Sequence, residues 1–106
     1  MPRLARSLLP ALALALGCAP LPIGESFNVL GEVPGDDLAD EIVLLGAHLD
    51  SWDLGTGALD DGAGCAIMLE VGRHLALFPD KPRRTVRVVL FANEEFGIAG
   101  AKAYAK

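Results

Sequence analysis

Cysteine is scarce in this 106-residue chain, with only Cys18 and Cys65 present. Cys18 sits in an N-terminal run expected to be removed or lipidated, and Cys65 sits on an apolar helix face. No disulfide is expected between them, and the count carries little information about redox compartment. Histidine is equally scarce: His48 and His74 are the only two. Lys and Arg form no patch and do not interleave with aromatics, which argues against a nucleic-acid partner. No apolar run reaches the roughly 20 residues that a membrane-spanning helix needs. There is no internal repeat, and no low-complexity tract after residue 22.

What is plentiful is acid. The formal net charge is −5, and all fourteen Asp and Glu lie after residue 22. Setting Arg3 and Arg6 aside from the nine basic residues leaves seven against those fourteen acids, a balance of −7 for residues 23–106. Such acidity serves solubility, and where it converges it attracts cations.

Residues 1–22 read as an export signal. Arg3 and Arg6 form a basic start, Leu8 to Leu16 a short Leu/Ala run, and Gly17-Cys18-Ala19 a small-residue stretch. Cys18 after Ala-Leu-Gly also resembles a lipoprotein box, with Ala15 where a larger aliphatic is usual. A lipid anchor at Cys18 is the one membrane attachment this suggests. The expected location is outside the cytoplasm: secreted, periplasmic or lipid-anchored. Residues 23–106 then form one domain or part of one.

Within 23–106 the pattern alternates. Glu25 to Val33 reads as a first strand and Pro34-Gly35-Asp36-Asp37 as a turn. Glu41 to Ala47 reads as a second strand, free to pair with the first as a hairpin. Its unbroken Ile42-Val43-Leu44-Leu45 fits a strand covered on both faces. Asp60 to Phe78 has helical period, with Cys65, Met68, Leu69, Gly72, Leu75 and Ala76 on one face and Glu70, Arg73 and His74 on the other. Thr85 to Ala92 reads as a third strand and Gly97 to Lys106 as a helix. The expected order is β-β-α-β-α, an α/β fold.

Three segments at strand ends carry the chemistry. His48 closes the second strand, at the edge where α/β sheets place their ligand sites. Asp50 shares its face two residues on and suits the second ring nitrogen of a metal-bound imidazole. Asp60-Asp61 exceeds what helix capping needs, and one of the two carboxylates suits a bridge between two metals. Glu94-Glu95 leaves the third strand with neighbouring acids aimed differently, so that one can bind metal and the other move a proton. His74 reads as a surface residue paired with Glu70 at i, i+4. Trp52 either lines the pocket or covers the loop.

At FNVLGEVPG, LLGAHLDSWDLGTGALDDGAG and RRTVRVVLFANEEFGIAGAKAYA the chain resembles the di-zinc aminopeptidase family that includes aminopeptidase Y and carboxypeptidase Q. The resemblance runs from about Phe27 to Tyr104. It implies a three-layer α/β/α sandwich with a mixed, mostly parallel sheet. It implies two co-catalytic Zn2+ ions, with His48 binding one, Asp60 bridging both and Glu95 binding the other. Asp50 would orient His48, Glu94 would be the general base, and the Asp60–Asp61 peptide would be cis. The implied reaction is release of an N-terminal residue or dipeptide by a metal-activated water, on a peptide or dipeptide substrate.

The family's two further ligands, an aspartate and a histidine, have no counterpart in these residues, so the sequence reads as the N-terminal part of a catalytic domain. Weak or absent activity, and self-association through an unpaired sheet edge, are expected of the isolated chain. Two other readings stand beside this one. The first is a related metal amidohydrolase acting on N-acyl amino acids or N-terminal glutamine. The second is a non-catalytic remnant serving as a binding module.

Overall fold

The structure, a computed structural model, describes residues 25–106. The expected export segment and Cys18 lie outside the described residues. The elements are β1 (Val29–Val33), β2 (Leu38–His48), α1 (Ala63–Leu77), β3 (Arg84–Phe91) and α2 (Ala99–Tyr104), with an irregular turn at Ala58–Gly62 before α1. The order is the β-β-α-β-α expected from the pattern.

The sheet runs β1-β3-β2. β3 pairs antiparallel with β1 and parallel with β2, so the sheet is mixed with one pairing of each kind. This corrects the expected hairpin, because β3 separates β1 from β2. The turn between them is held to the start of β3 instead. Asp36 donates its backbone N–H to the carbonyls of Pro82 and Arg83, and Gly35 donates to Thr85 Oγ1 at 3.1 Å. A Cβ at Gly35 would lie 2.6 Å from backbone atoms of Arg84 and Thr85, so glycine permits this approach. The buried Thr85 hydroxyl donates onward to the Ala39 carbonyl at 2.8 Å. The Asp37–Arg83 and Glu41–Arg84 ion pairs span the same end of the strands.

Burial identifies the central strand. Val86, Val88, Val89 and Leu90 of β3 are buried, Val89 completely. In β2, by contrast, Ile42, Val43 and Leu44 are 45, 42 and 46% exposed. The continuous apolar run of β2 therefore belongs to an edge of the described sheet, and the open edge lies at β2 rather than β3.

The helices occupy opposite faces. On α1, Cys65 and Met68 pack against Ala47, Val88 and Leu90. Gly72 follows on the same stripe, where a Cβ would sit 3.2 Å from Val88. Leu69 and Ala76, expected on this face, are exposed. They flank β1, where Gly31 offers no side chain to meet them. Arg87 and Phe91 alternate with Val88 and Leu90 and so project to the other face. There Tyr104 of α2 meets Phe91 edge-on, with centroids 5.8 Å apart, and Arg87 donates to the Tyr104 hydroxyl at 2.7 Å. Helix, sheet, helix is the three-layer α/β/α arrangement. Among the described residues no helix is long and apolar enough to cross a membrane.

His74 takes its expected place, 2.8 Å from Glu70 on the outer face of α1, with Arg73 on the same carboxylate at 2.7 Å. The Arg73 guanidinium holds the Glu70 carboxyl down to about 2, with His74 adding to the effect. A carboxylate depressed in this way adds stability that is complete above its unfolded pKa, near 4.5, and is lost as pH falls through about 2. Glu70→Gln should therefore lower the thermal midpoint slightly at pH 7, with the difference from the parent vanishing near pH 2. Paired melts followed by circular dichroism read this directly. A difference that grows on acidification would contradict it.

Candidate metal centre

The parallel pairing of β2 with β3 sets two strand ends side by side. His48 is opposite Phe91 in register, and Leu49 continues the ladder by donating to the Phe91 carbonyl at 2.8 Å. The loops that leave these ends therefore start as neighbours. Backbone groups freed at the ends are met by side chains, and most of those side chains are acidic.

Asp61 is the first bracket. Its Oδ2 accepts the backbone N–H of His48 at 3.0 Å, and its Oδ1 accepts that of Gly64 at 3.0 Å. It thus ties the end of β2 to the first turn of α1. A Cβ at Gly64 would collide with this carboxylate, so the small residue is a geometric requirement. Gly62 closes the preceding turn by donating to the Gly57 carbonyl at 2.7 Å, with Gly57 at φ 63°. The Asp60–Asp61 peptide is cis, as the resemblance implied. Of the two adjacent acids, one caps and brackets. The other, Asp60, leaves its side chain 76% exposed beside His48.

Asp50 is the second bracket. Its two carboxylate oxygens accept the backbone N–H groups of Glu94 at 2.8 Å and Glu95 at 3.0 Å. It binds the loop after β2 to the loop after β3. Burial opposes ionisation here, but these two donors prevail and hold the Asp50 carboxyl below the usual carboxylate range. The loop after β3 is tight: Asn93 turns at φ 56°, and Gly97 and Ile98 both donate to the Glu94 carbonyl.

The imidazole is oriented by the chain itself. His48 Nδ1 lies 3.0 Å from the backbone carbonyl of Asp50 and 3.6 Å from its carboxylate. The carbonyl, not the carboxylate expected from sequence, is therefore the hydrogen-bond partner. The carboxylate has been drawn away by the Glu94 and Glu95 amides. With Nδ1 donating to that carbonyl, Nε2 presents a lone pair, the tautomer a metal ligand needs. Nε2 lies 3.0 Å from Asp60 Oδ1 and 3.9 Å from Glu94 Oε2.

Ligating atoms of His48, Asp60 and Glu95 all lie within 4.8 Å of one another. One imidazole and two carboxylates form a nitrogen–oxygen donor set that suits zinc, so these residues fit such an ion. Burial disfavours the charged ring of His48. The hydrogen bonds to Asp60 and to the Asp50 carbonyl, with the charges of Asp61 and Glu94, outweigh that and raise its pKa. In the charged ring Nε2 also carries a proton, which a cation there has to displace, so affinity for metal rises with pH.

The structure thus brings together every residue picked out at the three strand ends: His48, Asp50, Asp60, Glu94 and Glu95. His74 it places apart, about 16 Å along α1 from the helix start at a rise of 1.5 Å per residue. Two further contacts add to what the sequence picked out. Asp61 brackets His48 through the backbone. Cys65 places its Sγ 3.0 Å from the His48 carbonyl, where burial first and then the Asp61 charge push its thiol pKa up. The Asp-Asp pair signalled the first of these; nothing in the sequence signalled the second.

The comparisons with known proteins bear on the same segments. Carboxypeptidase Q of Rattus norvegicus is 45% identical over 94 residues, covering 86% of this chain and 19% of that protein. A solved structure of a Peptidase M28 precursor from Shewanella amazonensis SB2B superposes with a TM-score of 0.72 at 62% identity, over 74% of this chain and 18% of that one. BSAP, a zinc aminopeptidase from Bacillus subtilis, superposes with a TM-score of 0.65 at 33% identity, over 73% of this chain and 19% of that one. The chain thus spans about a fifth of the length of the proteins it resembles. The family model for Peptidase family M28 matches residues 28–106, which is most of the sequence, and the chain belongs to that family.

Proposed function

We propose that this chain supplies the N-terminal part of the catalytic centre of an exported, zinc-dependent exopeptidase acting on peptides or dipeptides. One observation carries the reading: the convergence of His48, Asp60 and Glu95 within 4.8 Å, with the Glu94 carboxylate alongside. His48, Asp60 and Glu95 would hold the zinc, His48 and Glu95 as terminal ligands and Asp60 as the shared one. When bound, zinc polarises the scissile carbonyl and makes a water acidic enough to ionise near neutral pH.

The chain's own residues do the rest. Glu94 accepts a proton from the attacking water as its oxygen bonds to the carbonyl carbon. Glu94 then delivers that proton to the nitrogen as the C–N bond breaks. Asp50 positions Glu94 and Glu95 by their amides and His48 by its carbonyl. Residues 1–22 direct export, with Cys18 either removed with the signal or lipidated as the one membrane attachment. In this reading two further ligands, an aspartate and a histidine, complete the site from outside these residues, and the chain alone is weakly active. The exposed Ile42-Val43-Leu44 edge of β2 is the surface for self-association.

Calorimetric titration with zinc tests the reading. About one zinc per chain is expected, bound more weakly as pH falls. His48→Ala should cost at least about a hundredfold in affinity, the upper end of what loss of a supporting partner costs. Tight binding of two ions would contradict the incomplete ligand set, and no binding at all would remove the metal reading.

A further inference from the structure

The loop that leaves β3 carries both glutamates of the centre, yet it is built of turns that need outside support. Asn93 and Ile98 have φ of 56° and 51°. A branched side chain is strained in that left-handed region, so Ile98 stays there only while its surroundings hold it. Asp50 holds the loop from one side, through the amides of Glu94 and Glu95. The strand order supplies a second support from the other side. β1 runs antiparallel to β3, with Val29 opposite Leu90, so the start of β1 lies at the end of β3. β2 runs parallel to β3, so its end lies there too. Each neighbour of β3 thus sends one polar side chain to the loop, Asp50 from beyond β2 and Asn28 from before β1.

Asn28 meets the neck of the loop. Its Oδ1 accepts the backbone N–H of Ala92 at 2.9 Å, and its Nδ2 donates to the Gly100 carbonyl at 2.9 Å. Gly100 in turn donates its N–H to the Ala92 carbonyl at 2.9 Å. The three bonds form a closed ring that joins the last residue before the loop to the first turn of α2. Ala92 is buried, so its N–H depends on a protein acceptor. A Cβ at Gly100 would collide with Asn28 Oδ1 and with the Ala92 carbonyl, so the ring closes only around glycine. Its two remaining partners are one donor and one acceptor, and a side-chain amide answers both.

We infer that Asn28 is a positioning residue of the metal centre: it closes the neck of the 93–99 loop and so sets the aim of the Glu94 and Glu95 carboxylates. It acts through the backbone of Ala92 and Gly100. The inference rests on the peptidase reading for what the two carboxylates do.

Two variants of the full chain test it, with Thr85→Val as the matched control. The Thr85 hydroxyl also makes two hydrogen bonds, to Gly35 and Ala39, but at the opposite end of β3. Amide hydrogen exchange followed by NMR reads the loop, and zinc calorimetry reads the centre. In Asn28→Ala, exchange at Ala92, Glu94, Glu95 and Gly100 should speed up about tenfold, the worth of one to two hydrogen bonds in a local opening. The amides of His48 and Gly64, which Asp61 holds, should stay within about threefold of the parent. Zinc affinity should fall about tenfold, the lower end of what loss of a supporting partner costs. Asn28→Asp keeps the shape and the acceptor for Ala92 but sets a carboxylate against the Gly100 carbonyl, and should lose at least about threefold. Thr85→Val should keep loop exchange and zinc affinity within about threefold of the parent. If circular dichroism shows Asn28→Ala unfolded, Asn28→Asp carries the same reading. Loop amides as protected as in the parent, or a zinc loss matched by Thr85→Val, overturns the inference. Zinc bound by the parent and equally by the Asn28 variants removes the inference alone. Loosened loop amides in a chain whose parent binds no zinc remove the metal reading alone.

Discussion

Glu94→Gln is expected to cut zinc-dependent release of an amino acid from a dipeptide by about 10²–10⁴-fold, the usual worth of a positioned general base. Zinc affinity should change by less than about threefold, because Glu94 lies outside the ligand triad. The contrast follows from the geometry. The Glu94 carboxylate is 3.9 Å from His48 Nε2, close enough to reach a water at the centre and too far to bond the ring directly. Glutamine preserves shape and removes the ability to accept and return a proton. The backbone of Glu94 is held by Asp50 and by the tight turn to Ile98, neither of which depends on the side chain. Steady-state assay with parallel zinc calorimetry separates the two effects. Equal zinc-dependent activity, measurable above background in both proteins, would assign the base elsewhere, and a matching loss of zinc affinity would make Glu94 a ligand instead.

Asp50→Ala should lower stability by about 3 kcal/mol, since it leaves two partly buried amides without their charged acceptor. The two bonds cross from the loop after β2 to the loop after β3, residues 44 and 45 positions away. Losing them frees the segment that carries both glutamates, so zinc affinity should fall as well, through Glu95. Asp50→Asn is the sharper probe. Asparagine offers one acceptor and one NH2 group, and both facing partners are donors. It should recover less than half of the stability lost in Asp50→Ala. Chemical denaturation of the three proteins gives the comparison, and an Asn variant as stable as the parent would show that the second hydrogen bond contributes nothing.

Much of this arrangement was legible in the sequence, for identifiable reasons. The β-to-α change of period at Asp60 and the β-branched run Thr85–Leu90 are local signals, and they placed the elements. The strand ends then placed His48 and Glu94-Glu95 at one sheet edge. Strand order was not legible. The unbroken Ile42–Leu45 run suggested that β2 was central, and β3 is the strand buried on both faces. A run of apolar residues records what a strand is suited to bury, not what the rest of this sequence supplies to cover it. The role of Asp50 was half legible. Its spacing from His48 was right, but the carboxylate had a stronger claim on it from two amides 44 and 45 residues away, and no local pattern reports that. The Trp52–Phe96 contact, with ring centroids 5.0 Å apart, and the Asn28 bonds join residues just as distant or more so, and were hidden for the same reason.

The parallel pairing of β2 with β3 also fixes the order of assembly. Val43 and Val86 meet in register, so the closing loop contains the whole of α1. A helix forms within about a microsecond from local contacts, whereas closing such a loop has to wait for side chains distant in sequence to find one another. Before that closure only twelve positions separate His48 and Asp60, but Glu95 is elsewhere and no three-ligand site exists. On the proposed reading a metal would therefore not seed folding but would latch a chain that has already closed, adding about 2.7 kcal/mol when its free concentration is a hundred times the dissociation constant.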